Sequence, residues 1–404
     1  MTQIVPLASL VTVVGGGTPS RKIARYFGGD IPWITPKDMK SWYIDGAQVT
    51  ITEAGLASSP CSLIPAGSVL MVVRSGILKH TIPLAINKVP VTVNQDMKAM
   101  ICGSAILPEY LARFLKANER NLLGLVRGTT ADNIPFEAIK RYPIVVPSLA
   151  EQKRIADILD KADALREKRR RAIEQLDHLW RSVFIDQFGD PSVNSKNLPR
   201  RQIGELTRVA TGTTPSRSVD GYYGGHIPWV KTTEVHGNLI KSTGEHLTES
   251  GKRAGRCRLY PIGSIIVAMY GQGKTRGQSA ILGIEACTNQ ACAVILPSEK
   301  IMTEYLFAYL QIAYESLRSL GRGGNQPNLN LQLVSGFEVM VPEIEQQTRF
   351  AQIYNTVMAL QYKEQHAMEL SEQLFKSAQV AAFTGTLSLI HKLDELDQCL
   401  TSPS

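Results

Sequence analysis

One block of sequence occurs twice in this chain: TPSRKIARYFGGDIPW at residues 18–33 returns as TPSRSVDGYYGGHIPW at 214–229, an offset of 196. The spacing holds at the next landmark, PAGSVLM at 65–71 against PIGSIIV at 261–267. A period of this size is too long for a solenoid unit and implies two whole domains of one design. Two such domains in one chain can address two sites on one target.

Within each copy the elements follow the same order. SVLMVVRS (68–75) and SIIVAMYG (264–271) are short β-rich runs after a Pro-x-Gly turn and predict central strands, with MKAMICG and ACAVILP as later ones. EYLARFLKA (109–117) and EYLFAYLQI (304–312) carry apolar residues at helical spacing. YPIVVP (142–147) and FEVMVP (337–342) read as a last strand stopped by proline, after which an EQ pair opens a long helix. The mild apolar stretch Ile4–Val14 reads as one further strand.

The long helices carry a seam. Ile155, Ile158, Ala162, Leu165, Arg169, Ala172, Leu176, Leu179 and Val183 step by three and four, as in a coiled coil. Adding 195 gives Phe350, Ile353, Val357, Leu360, Glu364, Ala367, Ser371, Leu374 and Ala378, a weaker seam in the same register. About 35 residues of helix would span about 50 Å. Like domains at the start of each helix favour antiparallel pairing about a pseudo-twofold axis. Arg169 and Glu364, the polar breaks, are then expected to meet and fix orientation, two solvated charges being the other reading.

The predicted fold class is α+β: two similar mixed α/β domains, each followed by a long helix, the helices pairing as an antiparallel coiled coil. The expected boundaries are 1–147 and 201–342 for the domains, 148–188 and 343–384 for the helices, 189–200 for the Gly/Pro-rich linker and 385–404 for a tail.

A formal net charge of +8 favours an anionic partner. Six cysteines without a CxxC pair read as reduced thiols of a cytoplasmic protein. No basic segment precedes the first apolar stretch, and no apolar run approaches the roughly 20 residues needed to cross a bilayer. His226, His236 and His246 lie ten apart, not at ligand spacing, and read as solvent-facing loop residues. No metal or membrane is expected. YGQGKT (270–275) resembles the end of a phosphate-binding loop, but Ala268 stands where that motif needs glycine. With no nucleophile, base and orienter set either, the chain is expected to do no chemistry itself.

What remains is donor-rich loop sequence. Thr18, Ser20, Arg21, Lys22 and Arg25 face, in the repeat, Thr213, Thr214, Ser216 and Arg217, and hydroxyls with arginine suit phosphates and base edges. A turn that merely shapes a loop is an equal reading, and Trp33 and Trp229 read as core anchors. The copies diverge just after the tryptophan, ITPKDMKSWY with Lys37 against VKTTEVHGNL with Lys231. They diverge again at RSGILKHT, with Arg74, Lys79 and His80, against YGQGKTRGQ, with Lys274, Arg276 and Gln278. A third pair, RGTTADN and GRGGNQPN, offers Arg127, Asn133, Arg322, Asn325 and Gln326. Arginine and lysine read guanine, glutamine and asparagine read adenine, and divergence inside a shared frame is where specificity would differ.

Two GGTPS…GGxIPW-type domains, each followed by an EQ-initiated helix, resemble the specificity subunit of type I restriction-modification enzymes over nearly the whole chain. FGDP at 188–191 and FTGTL at 383–387 resemble that family's helix endings. The resemblance implies target recognition domains that each read one half of a bipartite asymmetric site on double-stranded DNA, with the helices setting the gap. It implies two modification subunits, which carry S-adenosylmethionine and methylate adenine, and restriction subunits that use ATP and Mg. Cofactors would belong to those partners and none to this chain. Partner contacts would fall on the exposed helix faces around Glu151–Phe184 and Glu345–Phe383, Arg166–Arg171 being alternatively a solvated face or a phosphate track. A stand-alone DNA-binding regulator and an interaction scaffold of incidental charge stay open on the residues alone.

Overall fold

The computed structural model describes residues 3–126, 132–271, 273–321 and 328–384. The chain divides into two compact units, residues 1–170 with 367–404, and residues 171–366. Each unit therefore contains one repeat and parts of both long helices.

In the first unit a five-stranded sheet has the order Val11–Gly15, Met97–Cys102, Val69–Val72, Leu84–Asn87, Tyr43–Ile44, antiparallel except for the last pair. The strand at its centre is the predicted SVLMVV run. All four of its residues are buried, because both faces of the sheet are covered. Val69 and Met71 face the core shared with helix α1 (Pro108–Ala117), while Leu70 and Val72 face a second core beneath a three-stranded sheet of Thr50–Ile51, Phe27–Ile34 and Thr92–Val93. The amino-terminal stretch read as one strand is two, Gln3–Pro6 and Val11–Gly15, separated by a 3-10 turn. Pro6 has no N–H for a ladder, so the chain turns there; Leu7 is buried and Gln3–Pro6 pairs with Pro143–Val146. Helix α2 (Glu119–Leu123) follows α1.

The second unit repeats this frame strand for strand: Val209–Thr211, Cys292–Ile295, Ile265–Ala268, Ser279–Leu282 and Leu239–Ile240 in one sheet, and His246–Leu247, Tyr223–Val230 and Cys287–Thr288 in the other. Ile265 and Val267 face one core and Ile266 and Ala268 the other, as in the first copy. His226 and His246 lie on strands, not loops; only His236 sits in a turn.

The long helices are α3 (Leu149–Phe188, 40 residues) and, after the short pair α4 (Thr303–Ile312) and α5 (Tyr314–Ser319), α6 (Ile344–Thr384, 41 residues). At 1.5 Å per residue each is about 60 Å long. The glutamines near their starts are buried: Gln152 accepts from the Leu107 N–H and donates to the Ala105 and Pro147 carbonyls, and Gln347 accepts from the Met302 N–H and donates to Pro342 O. Each thus ties a helix start to its own domain.

Within each unit the helix segments run antiparallel. In the first, Arg166 pairs with Glu372 and lies over the Phe375 ring, and Ile155, Ile158 and Ala162 share a core with Phe375, Ala378 and Phe383. In the second, Trp180 meets Tyr354 while Phe184 meets Phe350. The seam departs from the predicted heptad on both helices. Leu179, Ile353 and Leu360 are 47%, 38% and 49% exposed, and Trp180, Phe184, Phe188 and Tyr354 are buried instead. The large rings fill the space beside the α4 aromatics Tyr305 and Tyr309. Arg169 lies in the first unit and Glu364 in the second, each half-buried.

Candidate nucleic-acid interface

Segments bordering the singled-out loops meet, in each copy, at one short corner that sequence reasoning missed, and of the candidates it brings together Thr18, Arg74 and Asn133 in the first copy and Thr214 in the second. In the first copy it is Asn94-Gln95-Asp96, between two strands. Asn94 N–H bonds Ile34 O, just after the buried Trp33. Gly17 N–H bonds Val93 O at 3.0 Å, and the Thr18 hydroxyl bonds the Gln95 side chain. The second loop arrives from the other side: Val73 and Arg74 N–H both bond Asp96 O, at 2.9 and 3.1 Å. The third closes over it, with Arg74 bridged to Asn133, Ser75 N–H on Asp132 O and Ile134 N–H on Val73 O.

The second copy builds the same corner from Asn289-Gln290-Ala291. Asn289 N–H bonds Val230 O, Thr213 N–H bonds Thr288 O, the Thr214 hydroxyl bonds the Gln290 side chain, Met269 N–H bonds Ala291 O, and Leu329 N–H bonds Met269 O. The only sequence signal was a shared Asn-Gln pair at an offset of 195 inside otherwise different segments, VTVNQD and ACTNQA.

Tryptophan anchors the first loop from below. Trp33 Nε1 donates to Gly17 O at 2.9 Å and Trp229 Nε1 to Thr213 O at 3.1 Å, so both rings are buried with their one polar atom satisfied. Above them Arg21 lies over Trp33, and Arg217 over Tyr223 and Trp229. Ser20, Arg21, Ser216 and Arg217 are exposed, and Thr18 and Thr214 half-buried under their glutamine bonds. Lys22 and Arg25 are exposed beside them.

The turn after the tryptophan is organised by an acid in each copy. Asp38 accepts from Thr35 N–H and hydroxyl and from Gln48 N–H, leaving neighbouring Lys37 exposed. Glu234 accepts from Lys231 N–H, the Thr243 hydroxyl and Gly244 N–H. The copies differ nearby. Glu245 binds Lys231 Nζ and lies 2.7 Å from Arg217, and these two cations hold its carboxyl below the ordinary glutamate range. Val49 occupies the equivalent place in the first copy. Two candidates of the second copy therefore share one carboxylate, which the sequence did not reveal.

Of the second-loop candidates, Arg74, Lys79, His80 and Lys274 are exposed and Arg276 and Gln278 half-buried. Lys79 and His80 end a 3-10 turn, Gly76–Lys79. Arg127, Arg322, Asn325 and Gln326 lie outside the described residues, so only Asn133 represents the third loop. Among the described residues no group of three or more His, Cys, Asp or Glu side chains is placed to hold a metal ion, and no helix is long and apolar enough to cross a membrane.

This doubled arrangement has a counterpart in known proteins. A family model described as type I restriction modification DNA specificity domain matches residues 2–175 and again 196–370. The chain belongs to that family. It is 42% identical over 154 residues to the specificity subunit of the type I restriction enzyme EcoR124I/EcoR124II of Escherichia coli, a match covering 37% of this chain and 38% of that one. It is 26% identical over 352 residues to the MjaIX specificity subunit of Methanocaldococcus jannaschii, covering 82% of this chain and 80% of the relative. The fold matches the crystal structure of the S subunit from M. genitalium with a TM-score of 0.59 at 12% identity, covering 100% and 97% of the two chains. The chain is thus a specificity subunit, a DNA-recognition component and not an enzyme.

Proposed function

We propose that each domain of this specificity subunit reads one half of a bipartite, asymmetric site on double-stranded DNA, and that the long helices set the unread gap between the halves. The observation that carries the reading is the doubled corner: an identical frame gathers loops of different sequence, so the frame is common and the reader differs. Basic and hydroxyl side chains supply phosphate contacts, which give most of the affinity. Arg74, Asn133 and Lys79 in one copy, and Lys274, Arg276, Gln278 and Arg217 in the other, are the base-reading candidates, each good pair being worth about 1–3 kcal/mol of discrimination. Chemistry would come from partners in the cytoplasm: two modification subunits with S-adenosylmethionine that methylate adenine, and restriction subunits using ATP and Mg. Exposed helix faces around Glu151–Phe184 and Glu345–Phe383 are the docking candidates, and Arg169 with Glu364 would fix the helices' mutual orientation.

The test is long-read methylation mapping of cells carrying this gene with its methyltransferase partner. A two-part adenine-methylated motif is expected. Arg74→Ala should relax one half only and Arg276→Ala the other; an unchanged methylome in both would reject these assignments. Absence of any two-part motif in the wild type would reject the function.

A further inference from the structure

The second loop of each copy does not rest on the corner alone; a side chain from the short helix behind the sheet holds it, and the two copies use opposite chemistry there. In the second copy, Arg318 of α5 donates from Nη1 to Arg276 O at 3.1 Å and from Nη2 to Gly273 O at 2.6 Å. The same Nη1 lies 2.8 Å from the Tyr314 hydroxyl, which in turn donates to Lys274 O at 2.7 Å. Three loop carbonyls are thus taken by two side chains. Gly277 packs against this pair, a Cβ there falling 3.3 Å from Arg318 Cβ and 3.4 Å from a Tyr314 ring carbon.

In the first copy the residue in Tyr314's place is Glu119 of α2, and Arg318's place is held by Leu123. Glu119 does the reverse: its Oε1 accepts from the Thr81 hydroxyl and Ile82 N–H, both at 2.6 Å, and from Lys116 Nζ at 2.7 Å. Burial pushes its carboxyl up, but the bonds from Lys116, Thr81 and Ile82 together outweigh burial and hold it below the ordinary value.

We propose that Arg318 and Tyr314 are positioning residues for recognition by the second domain, and that Glu119 holds that place in the first. This rests on the proposed reading that these loops face DNA. A planar guanidinium suits the task because it can hold two carbonyls at fixed separation. The braced loop carries glycines at positive φ, Gly273 at 58° and Gly277 at 85°, and would sample many conformations if left unheld. Fixing it before binding removes an ordering cost that would otherwise be met on every site, cognate or not, and keeps Lys274 and Arg276 in one geometry. Loop and brace therefore form one specificity unit, and transplanting 271–278 between relatives without its brace should not carry specificity over.

The experiment maps methylation in cells carrying the full chain with its methyltransferase partner, for wild type, Tyr314→Phe, Arg318→Gln and Glu119→Ala, with melting of each purified variant. The wild-type arm tests the underlying reading: without a two-part motif that reading falls and the brace with it. Given a motif, Arg318→Gln and Tyr314→Phe should each raise methylation at sites mismatched in one half by about tenfold, leaving the other half and the gap intact. Glu119→Ala should relax the opposite half. If Arg276→Ala shifts the motif while Arg318→Gln and Tyr314→Phe leave it unchanged, the brace is refuted and the reading survives. Relaxation of both halves together, or only in proportion to lost melting temperature, marks a merely structural role and refutes it equally.

Discussion

A single methyl group at residue 212 tests whether the first loop is locked to its corner as the structure shows. A Cβ on Gly212 would lie 2.0 Å from the Thr288 carbonyl oxygen, 2.2 Å from its hydroxyl and 2.4 Å from its carbonyl carbon. Thr288 is buried and its peptide is held in a strand, so it cannot swing aside as a flexible side chain would. Ordinary contact requires about 3.4 Å, so loop and strand must part by more than about 1 Å, which breaks the Thr213 N–H bond to Thr288 O, now 2.9 Å. Overpacking costs about 1–3 kcal/mol and the lost hydrogen bond about 1, so Gly212→Ala should destabilise by about 2–4 kcal/mol. For a unit of this size that corresponds to a fall of about 4–15 °C in melting temperature. Gly221→Ala is the control, because a Cβ there meets nothing within 4 Å. Calorimetry of the full chain measures the shift, and hydrogen exchange locates it, with faster exchange expected at 209–217 and 287–291. If Gly212→Ala melts within about 1 °C of Gly221→Ala, the close approach is wrong and so is the account of how Thr214, Ser216 and Arg217 are presented.

Three further outcomes follow from separate parts of the molecule. Arg113→Ala should cost about 2 kcal/mol, read by melting, because a buried guanidinium over Trp42 that bonds Asp160 and Asp163 is removed, leaving Asp160 with the Tyr43 hydroxyl and Asp163 with Arg166; a change under about 0.5 kcal/mol would show the cluster contributes little. Inserting four residues into α3 alone lengthens it by about 6 Å and should change the number of unread base pairs while both half-site sequences persist; an unchanged gap in an assembled, active complex contradicts the spacer role. Cys287 and Cys292 should resist iodoacetamide at pH 8 in the folded chain and react on denaturation, since burial pushes the Cys287 thiol up to about 12 and Cys292 higher still; rapid native labelling of either would contradict the packing beneath the second sheet.

The frame was legible because its signals are local or periodic. The buried strands 69–72 and 265–268 announced themselves as apolar runs after Pro-x-Gly turns, and α1 and α4 by their spacing. The helix seam was only half legible. A heptad count assumes the partner is another helix, whereas Trp180, Phe184 and Tyr354 also pack on the globular part of the second repeat, and the buried stripe follows the larger surface. The site was legible as a set of loops but not as a meeting place. Gln95 and Gln290 look like ordinary turn residues, and nothing in the chain's order says that Asp96 receives Arg74 or that Arg74 meets Asn133, since these bonds run between backbones brought together by the sheet. Arg113 was hidden for the opposite reason: a cation in an apolar helix looks like a surface residue until Trp42, Asp160 and Asp163 arrive from elsewhere in the chain.

Comparison of the copies separates what builds the domain from what distinguishes its reader. Tryptophan, the Asn-Gln corner and the acid that closes the following turn recur at an offset of 195 or 196, and each bonds a backbone group: the indole the Gly17 or Thr213 carbonyl, the corner's Asn N–H the Ile34 or Val230 carbonyl, and the acid the Thr35 or Lys231 N–H. Substitution there should damage either domain alike. Glu245 against Val49, and Arg318 with Tyr314 against Leu123 with Glu119, are instead places where one frame tolerates a change of charge, because the partner is a loop that changed with them. A domain organised this way can acquire a new reading by exchanging loop and brace together while its core stays fixed. It also follows that a loop exchanged alone leaves a carbonyl or a cation of the old pair without its counterpart, at about 1–3 kcal/mol each, which is comparable to the discrimination the loop is there to provide.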